Sequence, residues 1–327
     1  MKSKRNINTK EICDQIKKGN ITALSKAITL SESNINSDQE LANKILAKLK
    51  TKNNDSIRIG VTGVPGAGKS TFIESFGNHI TNLGLKLAVL TIDPSSSVTK
   101  GSILGDKTRM ETLSANKNVF IRPSPASNFQ GGVGKNTRES IFLCESAGYD
   151  IILIETVGVG QNEISVAEMV DFFLLLKISG SGDELQGIKR GIIEMSDLIA
   201  INKCDGNNVK DSIKAKNEFK LALKLFPNKK SNWKPQVLTC SSITGEGLAE
   251  IWECITNYVN LTKKNNYFYE NRINQNKSWL LQIIDYSLRK SFFNRKSVKL
   301  QLDNLIKKIE EQKISIFEAS RKILSEI

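Results

Sequence analysis

The chain has 327 residues, 39% of them apolar, and a formal net charge of +13. That length suits one large α/β domain of roughly 200 residues with appended elements, and no apolar run approaches the ~20 residues that cross a membrane. The charge would suggest nucleic acid, but residues 57–262 carry 22 Lys/Arg against 21 Asp/Glu, so the excess sits on the two flanks. There it reads as solvated helix faces or as a surface for an acidic partner. No stacking-aromatic cluster accompanies it, which also argues against nucleic acid. The five cysteines (Cys13, Cys144, Cys204, Cys240 and Cys254) form no C-x-x-C pair, as expected of reduced thiols. The basic start, Met1-Lys2-Ser3-Lys4-Arg5, lacks the apolar stretch of a signal peptide, so the expected compartment is the cytoplasm.

In chain order, residues 9–28 and 37–50 have the periodicity of two amphipathic helices, separated by the polar Ser31-Glu32-Ser33-Asn34. Residues 52–56 read as a linker. Residues 57–61 form a short apolar strand, and residues 71–83 carry apolar positions at helical spacing. Between them Gly63, Val64, Pro65, Gly66, Ala67, Gly68, Lys69 and Ser70 fit the phosphate-loop pattern G-x-x-x-x-G-K-[ST], with Thr71 following. Small residues let such a backbone curl its N–H groups onto phosphate oxygens, and the next helix adds its positive end. Lys69 is expected to reach the terminal phosphates and the Ser70 hydroxyl to ligate Mg²⁺.

Beyond the loop, strands at 85–93, 119–122, 150–156, 171–177, 198–202 and 236–240 alternate with helical patterns at 106–115, 134–147, near 185–195, 211–226 and 246–260. Such alternation predicts a doubly wound, mostly parallel sheet of the P-loop NTPase type, with helical extensions at both ends. The expected divisions are an N-terminal helical extension at 1–56, a nucleotide domain at 57–262 and a C-terminal helical arm at 263–327. The arm lacks Gly and Pro and repeats apolar residues at helical spacing (Leu280, Ile284, Leu288; Leu302, Leu305, Ile309). Those faces pack on their own domain or on a second copy.

Base selection falls to Asn202-Lys203-Cys204-Asp205 at the end of the 198–202 strand, an N-K-x-D element. The Asp205 carboxylate can accept from guanine N1–H and the 2-amino group, whereas adenine would leave it unpaired. The Lys203 stem can lie over the base and Asn202 can brace the loop. Ser241, Ser242 and Ile243, after the next strand, suit close backbone approach to the guanine O6. Asp93, Asp106 and Glu155 at or near strand ends are hard oxygen donors for Mg²⁺, often through water, and the Gly158 N–H can meet the γ-phosphate. Lys69, Glu155 and Gly158 are therefore the expected catalytic positions. Asp106 alternatively reads as a helix N-cap. Val159, not glutamine, follows Gly158, and Gln161 comes two later, so no side chain is an obvious water-positioner. Slow hydrolysis, stimulated by a partner, is expected. Arg109, Arg122, Arg138 and Lys189 are candidates to neutralise transition-state charge.

The segments GVTGVPGAGKST, DPSSSVTKGSILGDKTRM, RPSPASNFQGGVGKNTRE, ETVGVGQNEISVAEMVDFF, SGDELQGIKRGIIEMSDL and NKCDG together resemble the methylmalonyl-CoA mutase-associated GTPases, the MeaB/ArgK-like group of the SIMIBI class. The resemblance is dense over 57–262 and looser on the flanks. It implies GTP and GDP as ligands with Mg²⁺, and a chaperone that gates adenosylcobalamin loading and protects an acyl-CoA mutase. It also implies a homodimer built through the C-terminal helices, and a mobile partner-sensing segment that includes Asp183, Glu184, Gln186 and Lys189. Two other readings stay open: a metal-insertion GTPase of the hydrogenase or urease type, and a protein kinase acting on a transport component. Metal delivery would need His/Cys ligands, and the chain has one histidine, His79, and no paired cysteines.

Overall fold

Three short helices precede the sheet in the computed structural model, which describes residues 8–49, 55–93, 110–125, 132–156, 162–180 and 190–325. They are α1 (Thr9–Lys17), α2 (Ile21–Glu32) and α3 (Asn36–Lys48), where the periodicity predicts two. The extra break falls at Gly19, whose φ of 77° ends α1, and at Asn20, whose side chain accepts from the Ala23 N–H at 2.9 Å and caps α2.

Then come β1 (Ile57–Gly63), α4 (Lys69–Asn82), β2 (Leu87–Asp93), α5 (Glu111–Ser114), β3 (Val119–Pro125), α6 (Gly132–Ser146) and β4 (Ile151–Glu155). The second half continues with α7 (Asn162–Ala167), β5 (Phe172–Ile178), α8 (Arg190–Met195), β6 (Leu198–Asn202), α9 (Val209–Leu223), β7 (Gln236–Thr239) and α10 (Leu248–Lys264). All the strand pairings are parallel, in the order β3-β2-β4-β1-β5-β6-β7. Chain order runs outward from β1 to β2 and β3, returns as β4, then crosses to β5, β6 and β7. The reversal beside β1 opens the crevice where open α/β sheets bind ligands.

Alternating side chains divide the core between two faces. Ile59 and Val61 of β1, with Leu87, Val89, Leu153 and Leu174, meet Phe72, Ile73 and Phe76 of α4 and Ile251 and Ile255 of α10. On the other face Leu90, Ile92, Ile152 and Ile154 meet Ile141 and Cys144 of α6 together with Ile16, Leu24, Ile28 and Ile45 of the first three helices. The N-terminal helices are thus core, not appendage. Leu175, Ile199 and Ile201 pack on Ala215 and Phe219 of α9.

The chain divides into two compact units, residues 1–273 and 274–327. The last helices are α11 (Tyr267–Phe293), α12 (Lys296–Glu310) and α13 (Ile316–Leu324). In the second unit Val298, Leu305 and Ala319 are buried, while Leu280, Leu281, Leu288, Leu300 and Phe317 are exposed.

At the edge of the sheet opposite the strand carboxyl ends, the first unit holds a buried ionic network. Arg58 Nε donates to Glu145 Oε1 at 2.7 Å and its Nη2 to Oε2 at 3.0 Å. Arg272 Nε donates to Asp171 Oδ1 at 2.8 Å, and Ser56 Oγ to Glu145 Oε1 at 2.9 Å. The Glu145 side chain is 1% exposed, so its charge depends wholly on these partners.

Candidate functional site

Every strand-end motif that the structure describes meets at the crevice beside β1. Gly63 ends the strand with its backbone against β5: a Cβ there would stand 2.4 Å from the Leu176 carbonyl oxygen. Pro65 and Gly66 form an exposed tip, whereas Ala67 is fully buried. Gly68, at φ 83°, turns the chain into α4, whose first residues are Lys69, Ser70 and the exposed Thr71. Only glycine suits that position twice over, since a Cβ would also stand 2.8 Å from Asn202 Nδ2.

Lys69 curls back over the loop it follows. Its ammonium donates to the carbonyls of Gly63 at 2.8 Å and Val64 at 3.3 Å. Burial holds its pKa below the ordinary lysine value, and the carboxylates of Glu155 and Glu163 pull it back up. Ser70 Oγ lies 3.5 Å from Glu155 Oε1, so a hydroxyl and a carboxylate converge under the loop. Asp93 ends β2 two residues beyond Thr91, which pairs with Glu155 in the neighbouring strand. The Ser70 hydroxyl and the Glu155 carboxylate are hard oxygens of the kind that a divalent cation such as Mg²⁺ takes. Thr156 Oγ1 donates to Thr62 Oγ1 at 2.8 Å and closes the floor of the site.

The guanine-type loops are bonded directly to the phosphate-type loop. Asn202, 1% exposed, donates from Nδ2 to the Ala67 carbonyl at 2.9 Å. Its Oδ1 accepts from the Ser242 N–H at 3.2 Å and the Ser242 hydroxyl at 2.8 Å. One side chain therefore ties three loops. Lys203 takes a left-handed φ of 59° and runs beside Gly68, its Cε 3.8 Å from where a Cβ would stand. That unfavourable backbone is steadied by Asn208, whose Nδ2 donates to the Lys203 carbonyl at 2.7 Å. Asp205 accepts from the Ser241 hydroxyl, which also accepts from the Ile243 and Thr244 N–H groups at 3.3 and 3.1 Å. Ile243 is 81% exposed at the mouth.

A family model described as "Methylmalonyl Co-A mutase-associated GTPase MeaB" matches residues 24–297. The chain belongs to the MeaB family. MeaB-type relatives include GTPase ArgK of Escherichia coli, 45% identical over 266 residues, covering 81% of this chain and 80% of that protein. A probable GTPase of Mycobacterium tuberculosis is 41% identical over 309 residues, 94% of this chain and 92% of its own. The mouse mitochondrial "methylmalonic aciduria type A homolog" is 43% identical over 302 residues, 89% of this chain and 73% of its own. The crystal structure of an LAO/AO transport system kinase aligns with a TM-score of 0.75 at 33% identity, covering 98% of both chains. The chain is a GTPase with the P-loop fold that the residues imply.

Of the predicted MeaB site, Lys69, Ser70, Glu155, Asn202, Lys203, Asp205, Ser241, Ser242 and Ile243 are brought together with the loop of residues 63–68. Asp93 is placed by its backbone. Asp106, Arg109, Gly158, Asp183, Glu184, Gln186 and Lys189 lie outside the described residues. Two cationic candidates are committed elsewhere: Arg122 pairs with Glu32 of α2, and Arg138, 6% exposed, donates to the Glu168 carbonyl at 3.4 Å. Burial also lowers the Arg138 pKa, with Glu168 raising it again.

Sequence reading missed three participants. Ser75 Oγ donates to the Ser242 carbonyl at 2.5 Å and links α4 to the base loop. Asn208 had only the weak signal of an Asn in a short loop. Glu163, in the first turn of α7, has the place of an ordinary helix-dipole partner, and nothing in the sequence marks it as buried.

Proposed function

We propose that the crevice binds GTP and GDP. Residues 63–71 wrap the phosphates, Lys69 neutralises the β- and γ-phosphoryl oxygens, and Asn202, Lys203, Asp205 and Ser241 to Ile243 frame the guanine. The single observation that carries this reading is the Asn202 bridge, because it joins base-reading and phosphate-wrapping loops into one cradle. Asp205 exchanges its serine hydroxyl for the guanine N1–H and 2-amino donors. Ser70, with Asp93, Asp106 and Glu155 through water, would hold Mg²⁺, which supplies charge neutralisation between the β- and γ-phosphates. The Gly158 N–H and the 181–189 segment report the γ-phosphate to a partner.

The partner in this reading is an adenosylcobalamin-dependent acyl-CoA mutase. The GTPase gates loading of that enzyme's cofactor and protects it, working in the cytoplasm. The family description and the printed name of the mouse relative support this class of client. Among the described residues no helix is long and apolar enough to cross a membrane. The exposed leucines of residues 274–327 support pairing of two copies through the C-terminal helices. GTP turnover measured with and without the mutase of the same organism tests the proposal: an unchanged rate and no complex would refute it. Light scattering of the full chain tests the dimer.

A further inference from the structure

Asn208 stands immediately before α9, where an asparagine ordinarily caps the helix with its side-chain oxygen. Here it does not. No backbone N–H of α9 bonds to that side chain, which faces back into the guanine-type loop instead. Its Nδ2 donates to the Lys203 carbonyl at 2.7 Å, with the Ser212 hydroxyl 3.4 Å away. Its Oδ1 accepts from the Ser179 hydroxyl at 2.6 Å. A carbonyl can only accept, so the amide has one orientation among these partners. The Asn208 backbone N–H adds a further tie, donating to the Asp205 carbonyl at 3.0 Å. One residue therefore holds both Lys203 and Asp205, the two side chains set against the guanine.

What it holds them to is the end of β5. Leu176 of that strand pairs with Gly63, the first residue of the phosphate-type loop, and its carbonyl is pressed against that glycine. Three residues further on, Ser179 carries the Asn208 amide. The same short segment thus bears on the phosphate loop at one point and on the base loop at another. Lys203 needs such a holder, because its left-handed φ of 59° is unfavourable for a residue with a Cβ and would relax once released. We propose that Asn208 is a positioning residue for base selection. It locks Lys203 in the turn that lays its stem along the base and fixes Asp205 relative to the phosphate loop. Its effect is read in affinity for the base, and in the advantage of guanine over a purine without the 2-amino group.

The inference rests on the base assignment of residues 202–205, and the two fail separately. If Asp205→Asn keeps its preference for GTP over XTP, the base assignment fails whatever Asn208 does. For Asn208 the test is the full-length Asn208→Ala protein, with the near-isosteric Asn208→Asp as a second variant should the first fail to fold. Aspartate keeps an acceptor for Ser179 but turns an oxygen on the Lys203 carbonyl. One hydrogen bond lost from the base frame corresponds to about threefold to tenfold in Kd. Displacement of fluorescent GDP should show the Kd of GTP and GDP rising by that factor in both variants. The ratio of GTP to ITP affinity should fall by about threefold. Inorganic tripolyphosphate, which has no base, should bind within about twofold of wild type. Ser179→Ala, which leaves the Lys203 bond in place, should lose about threefold or less. A residue that merely stabilised the fold would weaken tripolyphosphate as much as GTP and leave the GTP to ITP ratio alone. Either of those results, or an unaltered Kd for GTP in a folded Asn208 variant, would overturn the proposal.

Discussion

Replacing Asn202 with alanine isolates the bridge on which the cradle depends. The side chain is 1% exposed and makes hydrogen bonds to the Ala67 carbonyl, the Ser242 N–H and the Ser242 hydroxyl. The hydroxyl can turn to a new partner, but the buried backbone groups of Ala67 and Ser242 cannot. Each buried polar group left unpaired costs about 1–3 kcal/mol, so with two of them Asn202→Ala should destabilise the fold by about 2–6 kcal/mol. Asn202→Asp should cost at least as much, because an acceptor then faces the Ala67 carbonyl oxygen 2.9 Å away. Urea unfolding followed by tryptophan fluorescence gives the stability, since Trp233 and Trp252 both pack on the core. Titration with fluorescent GTP should show Kd rising tenfold or more, about 1.4 kcal/mol, as the two loops lose their common strut. A stability within about 0.5 kcal/mol of wild type together with an unchanged Kd would refute the argument.

Lys69→Ala should lose GTP binding by a hundredfold or more, about 2.7 kcal/mol, while the circular dichroism of the sheet is retained; isothermal titration checks both ligands. Asp205→Asn should shift preference from guanine to xanthine nucleotides, because a carboxamide donates to the 2-oxo group; competition between GTP and XTP reads the change. Glu145→Gln should destabilise the first unit by about 3–5 kcal/mol, since Arg58 loses its paired carboxylate in a buried setting; a thermal melt lowered by less than a few degrees would contradict the assignment.

Much of this molecule can be read from its residues because the informative signals are local. Each strand is a short apolar run, and the G-x-x-x-x-G-K-S and N-K-x-D elements fall at strand ends whose position follows from alternation. The sequence separates Gly63 from Asn202 widely, yet both were legible because each carries its own motif. Glu163 was not, since its burial arises from tertiary packing, and Asn208 was not, since its bond to the Lys203 carbonyl depends on the conformation of the loop between them. The helix break at Gly19 and Asn20 was missed because the apolar periodicity runs through it and only the cap chemistry interrupts it. Arg122 illustrates the reverse error: a cation near a strand end looks available to phosphate until the Glu32 carboxylate from another helix is found beside it.

The way α1, α2 and α3 cover α6 on one face of the sheet has a bearing on biosynthesis. These helices leave the ribosome before the sheet, yet the strands and the α6 surface against which Leu24, Ile28 and Ile45 settle are not complete until Ser146 and the fourth strand have been translated. They must therefore wait, with oily side chains unpartnered, for a segment made much later. Trimming the gene to begin at the phosphate loop would not yield a minimal enzyme. It would release a domain whose α6 surface is bare, prone to clump with its neighbours before any nucleotide is met.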